Sequence, residues 1–216
     1  MGLIARMDAL DALVAGCGKV AVAFSGGVDS TVVAHAANRV LGQDALIVLV
    51  HTETIVDEDV ALARGLAAQH AFNFLEVTCS EVEIERNAAN RENRCSFCKG
   101  ALFQRLAAIA RERDIPVMFD GFNIDDEGDY RPGRQAAREL GVRSPLIETG
   151  FTRKDVRNAA RLYGLPNHDT PAAPCLPSRI PYGMVIDAAS LVRIARAERE
   201  IRELILRQPR RRGGAR

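Results

Sequence analysis

The chain has no apolar run approaching the ~20 residues that a membrane-spanning helix requires. Its opening stretch, MGLIARMDAL, lacks the apolar core of a secretion signal. Arg6 stands where N-myristoylation after Gly2 would need Ser or Thr. No internal repeat is visible, which excludes a solenoid. Lysine is scarce, three beside 26 arginines, a bias that points to genome composition rather than to function. Net charge is also nearly absent, at +1. These absences lead to the expectation of a cytoplasmic globular protein without a membrane partner.

What is present is 216 residues, 47% of them apolar, enough to bury one proper core with a small appendage. Charge is unevenly spread: from Ser190 onward nine arginines face three glutamates. Such a basic end suits either a solvated helix face or a contact with RNA or phosphate. Leu3, Met7, Leu10 and Val14 recur at helical spacing up to Gly16. Strands are predicted at Val20 to Phe24, Ala45 to Val50, Phe72 to Val77 and Pro116 to Gly121. Helices are predicted between them, at Ser30 to Leu41, Asp57 to His70 and Asn93 to Arg113. Thr152 and Asp155 stand at capping-box spacing before a further helix that ends at Gly164. A proline-rich loop from Leu165 to Gly183 precedes a long helix from Asp187 to Gln208, and the tail RQPRRRGGAR is expected to be disordered. This alternation predicts an α/β fold, an open and mainly parallel sheet with helices on both faces. The expected division is 1–165 for the nucleotide domain, 166–185 for a cysteine-bearing loop and 186–216 for a C-terminal helix and basic tail.

Ligands of open parallel sheets gather at the carboxyl ends of the strands. Four polar segments fall there: SGGVDS, HTET, TCSEVE and FNIDDEGDYRPG. The first is the most informative. Gly26 and Gly27 let the backbone approach an anion at the start of a helix, whose N–H groups and dipole favour negative charge. Ser25 and Ser30 offer hydroxyls, and Asp29 offers a carboxylate for Mg²⁺. The spacing is neither G-x-G-x-x-G nor G-x-x-x-x-G-K-[ST]. S-G-G-x-D-S resembles the PP-loop of the ATP pyrophosphatases, a superfamily that includes GMP synthetase, NAD synthetase and tRNA thiolases. That resemblance implies a loop that cradles pyrophosphate while ATP is cut between its α and β phosphates. Ser25, Gly26, Gly27, Asp29, Ser30 and Thr52 are the expected ATP and pyrophosphate residues.

Of the five cysteines, Cys17 and Cys79 read as small buried hydrophobes. Cys95 and Cys98 form a C-x-x-C in NRCSFCKG, and Cys175 lies in a loop with Pro171, Pro174 and Pro177. In an intracellular chain these three suit metal binding or catalysis better than disulfides. Zinc would need a fourth ligand, for which His168 is at hand; an iron–sulfur cluster can use three. Asp125, Asp126 and Asp129 form an acidic knot that either holds Mg²⁺, fixes Arg131, or is a turn rich in Asp and Gly.

From Ala21 to Tyr182 the chain resembles the LarE family, ATP-dependent sulfur transferases that build the nickel-pincer cofactor of lactate racemase. The residues carrying the resemblance are SGGVDS, NRCSFCKG, DGFNIDDEGDYRPGRQAARELGVRSPL and PAAPCLPSRIPYG. The resemblance implies that a pyridinium dicarboxylate mononucleotide is adenylylated and then thiolated through Cys175 to a thiocarboxylate. In one branch the cysteine surrenders its own sulfur and becomes dehydroalanine. In the other, three cysteines hold a 4Fe–4S cluster, and Cys95, Cys98 and Cys175 fit that pattern, so the resemblance favours the cluster version and the expected cofactors are ATP, Mg²⁺ and a 4Fe–4S cluster. Arg179, with Lys99, would stabilise a thiolate, and Ser178 with Arg179 would hold a substrate phosphate or carboxylate. Lys99, Asp126 and Arg131 are further substrate candidates. Relatives run on past the point where this chain stops, so the tail, the substrate or the oligomer is expected to differ. The expected partners are the mononucleotide, other cofactor-assembly proteins and further copies of the chain. A PP-loop tRNA thiolase with an iron–sulfur cluster is the alternative, although no RNA-binding module is visible and nucleic acid is not expected. An ammonia-using ligase or a nucleotide sensor would not need the three cysteines.

Overall fold

The computed structural model describes residues 1–51, 57–79, 94–127, 132–171 and 175–207. Four parallel strands form one sheet in the order β3-β2-β1-β4: β1 (Val20–Phe24), β2 (Ala45–His51), β3 (Asn73–Thr78) and β4 (Val117–Phe119). Val20 aligns with Ala45 on one side and with Val117 on the other, so β1 is central. Its residues and those of β2 are almost all buried, as continuous apolar strands must be when both faces are covered.

The pleat sorts these side chains into two cores. Val20, Val22, Phe24, Ile47 and Leu49 face one way. They pack on α1 (Leu3–Ala15), α2 (Val28–Leu41), α3 (Asp57–Gln69) and α7 (Arg153–Leu162). Ala21, Leu46, Val48 and Val50 face the other way, toward Phe103, Leu106 and Ile109 of α4 (Arg94–Glu112) and Ala137 of α5 (Pro132–Glu139). The chain builds outward from β1 through β2 to β3, then returns across the sheet to β4 with its helix on the opposite face. A fixed crossover hand demands that change of face when the direction of strand addition reverses.

The expected helix at Ser30 begins two residues earlier, at Val28, because Gly27 already has the extended backbone of a cap. The capping box of α7 forms as its sequence predicts. Thr152 Oγ1 accepts from the Asp155 amide at 3.2 Å, and Asp155 Oδ2 accepts from the Thr152 amide at 3.1 Å. The Thr152 hydroxyl also donates to Asp155 Oδ2 at 2.6 Å, and that bond, with the one from the Thr152 amide, holds the Asp155 carboxyl below its usual range. Two short helices, α5 and α6 (Pro145–Glu148), fall where no helix was expected. A short 3-10 turn (Leu176–Arg179) lies in the proline-rich loop, followed by α8 (Ala188–Arg207), close to the expected bounds. Leu176, Ile180, Ile186 and Leu191 make a separate small core there, and Arg199 of α8 pairs with Glu58 of α3 at 2.8 Å. Among the described residues no helix is long and apolar enough to cross a membrane.

Gly121, just past β4, abuts the first turn of α2. A Cβ there would stand 2.8 Å from the Ser30 nitrogen and 3.0 Å from its Cα, both backbone atoms. Gly121→Ala is therefore expected to destabilise the fold by about 1–3 kcal/mol, measurable as a lower urea midpoint with an unchanged slope.

A second test concerns the outer side of α2. His35 lies 5.3 Å from His70 and 4.6 Å from the Tyr163 ring, centroid to centroid. Burial, reinforced by His70 and Arg39 and opposed by Asp11, pushes His35 down to about 4; burial also lowers His70. Both imidazoles are thus neutral in the fold while the unfolded chain takes up protons below its ordinary value near 6.5. Stability is expected to be full above about pH 6.5 and to fall as pH drops toward 4, by on the order of 1–2 kcal/mol after solvent screening. Melting temperature against pH should show this slope, and His35→Phe should flatten it.

Candidate active site

The strand order reverses between β1 and β4, and at such a point the loops leaving the two strands diverge and open a crevice at their carboxyl ends. A cavity of about 420 Å³ occupies it, within the size range of small-ligand sites. Ser25, Gly27, Asp29 and Ser30 form one rim; Asp120, Asn123, Asp126 and Arg153 form the other. Ala23, Val48, Val50, Leu102, Phe103 and Phe122 make the apolar part of the lining.

The rim after β1 needs glycine at position 26 for two reasons. Its φ is +76°, and a Cβ would stand 3.1 Å from the Ala63 Cβ of α3. The Ser30 hydroxyl lies 3.1 Å from Ser25 Oγ, accepts from the Ser25 amide at 3.2 Å and donates to the Gly27 carbonyl at 3.0 Å. Thr31 Oγ1 donates to the same carbonyl at 2.8 Å. The hydroxyl protons of Ser30 and Thr31 are thus spent on shaping the loop.

Asp29 sits in the first turn of α2, where its Oδ1 accepts from Asn123 Nδ2 at 2.8 Å. Burial raises its pKa despite that hydrogen bond, and nearby Asp126 raises it further. Asp120 is also buried and is pushed up to about 6 by desolvation. The Phe122 amide, the Ser144 hydroxyl, Lys99 and Arg134 all pull the other way. Lys99 Nζ lies 4.5 Å from the centre of the Phe122 ring, a cation–π contact on the cavity wall.

In the acidic knot, Asp125 and Asp126 are engaged by local hydrogen bonds. Asn123 caps a 3-10 turn over Ile124–Asp126, and Asp126 Oδ2 accepts from the Asn123 amide at 3.1 Å. Asp126 Oδ1 pairs with Arg153 Nη2 at 3.3 Å, and Asp125 Oδ2 accepts from the Arg153 amide at 2.7 Å. Asp129 and Arg131 lie outside the described residues, as does Thr52.

Cys175, Ser178 and Arg179 come together on the 3-10 turn, apart from the residues that line the cavity. Cys175 is exposed. The Ser178 hydroxyl donates to the Cys175 carbonyl at 2.7 Å, and Arg179 Nη1 donates to Ser178 Oγ at 2.7 Å. Arg179 Nε pairs with Glu198 of α8. The backbones of Cys95 and Cys98 lie in the first turns of α4, directly before Lys99, but their side chains lie outside the described residues. Among the described residues no group of three His, Cys, Asp or Glu side chains is placed to hold a metal ion.

Sequence reasoning missed Asp120, Gly121, Asn123, Arg153 and Asn167. An Asp-Gly pair directly after an apolar strand is a signal for the first two. The partners of Asn123 and Asn167 are more than ninety residues away, and no local pattern marks them.

Comparison with known proteins agrees with this geometry. The NAD synthase family profile matches residues 5–115. An uncharacterized protein of Synechocystis sp. is 43% identical over 183 residues, which cover 85% of this chain and 68% of that one. The pyridinium-3,5-bisthiocarboxylic acid mononucleotide synthase of Lactiplantibacillus plantarum is 35% identical over 187 residues, 86% of this chain and 68% of the synthase. The structure of NMN synthetase from Francisella tularensis superposes with a TM-score of 0.66 over 94% of this chain and 95% of that one; at 14% identity this speaks for the fold alone. A glycine-rich loop at the switch point of a parallel sheet, a profile over half the chain and a synthase 35% identical together establish that the chain belongs to the NAD synthase-like PP-loop family, alongside LarE.

Proposed function

We propose that the protein is an ATP-dependent sulfur transferase. It activates a carboxylate of a pyridinium mononucleotide as an adenylate, releases pyrophosphate, and passes sulfur to the activated carbon through Cys175. The observation that carries this reading is the PP-loop opening onto a cavity with an apolar lining at the sheet's switch point. A flat aromatic ring suits that lining. The 35% identical synthase is named for a bisthiocarboxylic acid mononucleotide, which supplies the substrate class.

In the first step a substrate carboxylate oxygen attacks the α-phosphorus, and the bond to the β-phosphate oxygen breaks. The N–H groups at the start of α2 and the hydroxyl of Ser25 stabilise the charge that grows on the departing pyrophosphate, while Ser30 shapes the loop. Asp29 is the residue that would hold Mg²⁺: a hard carboxylate, which Asn123 fixes and burial makes uncomfortable without a nearby cation. The ion would offset phosphate charge. In the second step the Cys175 thiolate attacks the acyl carbon and AMP leaves, giving a thioester. Sulfur then passes on when the cysteine Cβ–S bond breaks and the Cα proton departs, leaving a thiocarboxylate and dehydroalanine. No oxidant is needed. Arg179 and Ser178 orient an anionic substrate group, which competes with Glu198 for the guanidinium.

Two measurements test this. Cys175→Ser is expected to keep ATP-dependent pyrophosphate release while losing thiocarboxylate formation by at least about a hundredfold. The wild-type chain should lose the mass of one H₂S in step with product. A variant that thiolates normally would overturn the role of Cys175. Multiple turnovers by an iron-loaded protein of unchanged mass would move the sulfur source to a cluster on Cys95, Cys98 and Cys175. Asp29→Asn should cut pyrophosphate release by about 10²–10³-fold, with melting temperature nearly unchanged.

A further inference from the structure

We propose that Asn167 is a positioning residue that aims the anion-binding amides of the PP-loop from behind. The inference rests on the reading above, in which that loop holds pyrophosphate. Asn167 lies in the segment after α7 and is 2% exposed. Its Nδ2 donates to the Gly26 carbonyl and to Thr31 Oγ1, each at 2.8 Å.

The orientation of the amide follows from the network. Thr31 Oγ1 donates its one proton to the Gly27 carbonyl at 2.8 Å, so toward Asn167 it can only accept. The nitrogen of Asn167, not its oxygen, therefore faces the loop. In a trans peptide the C=O and the following N–H point in opposite directions. Drawing the Gly26 carbonyl back aims the Gly27 N–H forward, to the side where it makes a long hydrogen bond of 3.4 Å to Ser25 Oγ that an anion would replace. Drawing the Gly27 carbonyl back, through Thr31 and Ser30, does the same for the Val28 N–H.

This tether is needed because the Gly26–Gly27 peptide has a glycine on both sides and so the least intrinsic resistance to rotation. Asn167 also keeps its Oδ1 buried without a hydrogen-bond partner. An apolar residue of the same size would avoid that cost, so the position is held for what the nitrogen does. The segment is itself braced. Arg157 donates to the carbonyls of His168 and Thr170 at 3.1 and 2.9 Å, and Arg161 pairs with Asp169 at 3.0 Å. The same segment leads to Cys175, so the phosphate loop and the root of the thiol-bearing loop share one anchor.

The test compares Asn167→Leu and Thr31→Val with wild type, by titration calorimetry with Mg²⁺-pyrophosphate and with ATP, alongside thermal melting. Asn167→Leu removes the orphan oxygen but also the donor to the Gly26 carbonyl and Thr31 Oγ1, so a merely structural role predicts a lower melting temperature with unchanged binding. The positioning role predicts that both variants bind pyrophosphate and ATP about tenfold more weakly. KM for ATP should rise and kcat should fall, because the same amides stabilise the charge that grows on the leaving pyrophosphate. Because both side chains work through one network, the double variant should lose less than the product of the single losses. Single variants that bind pyrophosphate like wild type overturn the inference alone. A wild-type chain that binds neither probe overturns the reading of the loop, and the inference with it. If Asn167→Leu fails to fold, Thr31→Val decides by the same criterion.

Discussion

The contact between the end of β4 and the first turn of α2 governs the rest of the site. Gly121 has no side chain, so the two backbones meet directly. Two residues on, Asn123 reaches across the seam to Asp29. Move that seam by an ångström and Asp29 loses its hydrogen bond, the cavity loses a wall, and the loop after β1 loses its neighbour. Packed interiors shift as units. A residue with no functional group is therefore as tightly constrained as the carboxylate beside it.

The strand and helix alternation was legible because both faces of the sheet are buried, which writes β1 and β2 as unbroken apolar runs. The capping box at Thr152 and Asp155 was legible because its chemistry is local. Helix α5 was not, since its sequence PGRQAARE holds only alanines as apolar residues; it forms because Ala136 and its neighbours can settle against Gly100 of α4. That β4 lies beside β1 was equally hidden, because strand order is a tertiary property. The glycine-rich loop after β1 was legible as a family motif. The residues that brace it, Asn123 and Asn167, act over ninety residues or more of chain and leave no periodic trace.

The acidic residues around the cavity divide by what their oxygens meet. Asp125 and Asp126 accept from backbone amides and Arg153, so they are parts of a turn and of the start of α7. Asp29 and Asp120 are buried, with pKa values raised by desolvation against the hydrogen bonds they accept. A raised carboxyl in a cavity wall is where an incoming cation or donor has most to gain. Neighbouring carboxylates on one cavity rim thus differ through their surroundings, some held by amides and a guanidinium and others buried and raised.

The double clamp on the segment after α7 sets a leash on the thiol. Arg157 fixes the chain at Thr170, five residues before Cys175. A fully extended chain of that length spans at most about 18 Å, and Pro171 and Pro174 remove two of its softer torsions. Cys175 therefore stays within that distance of a point hydrogen-bonded to α7, and the radius of its reach is written in the number of residues between Thr170 and the cysteine.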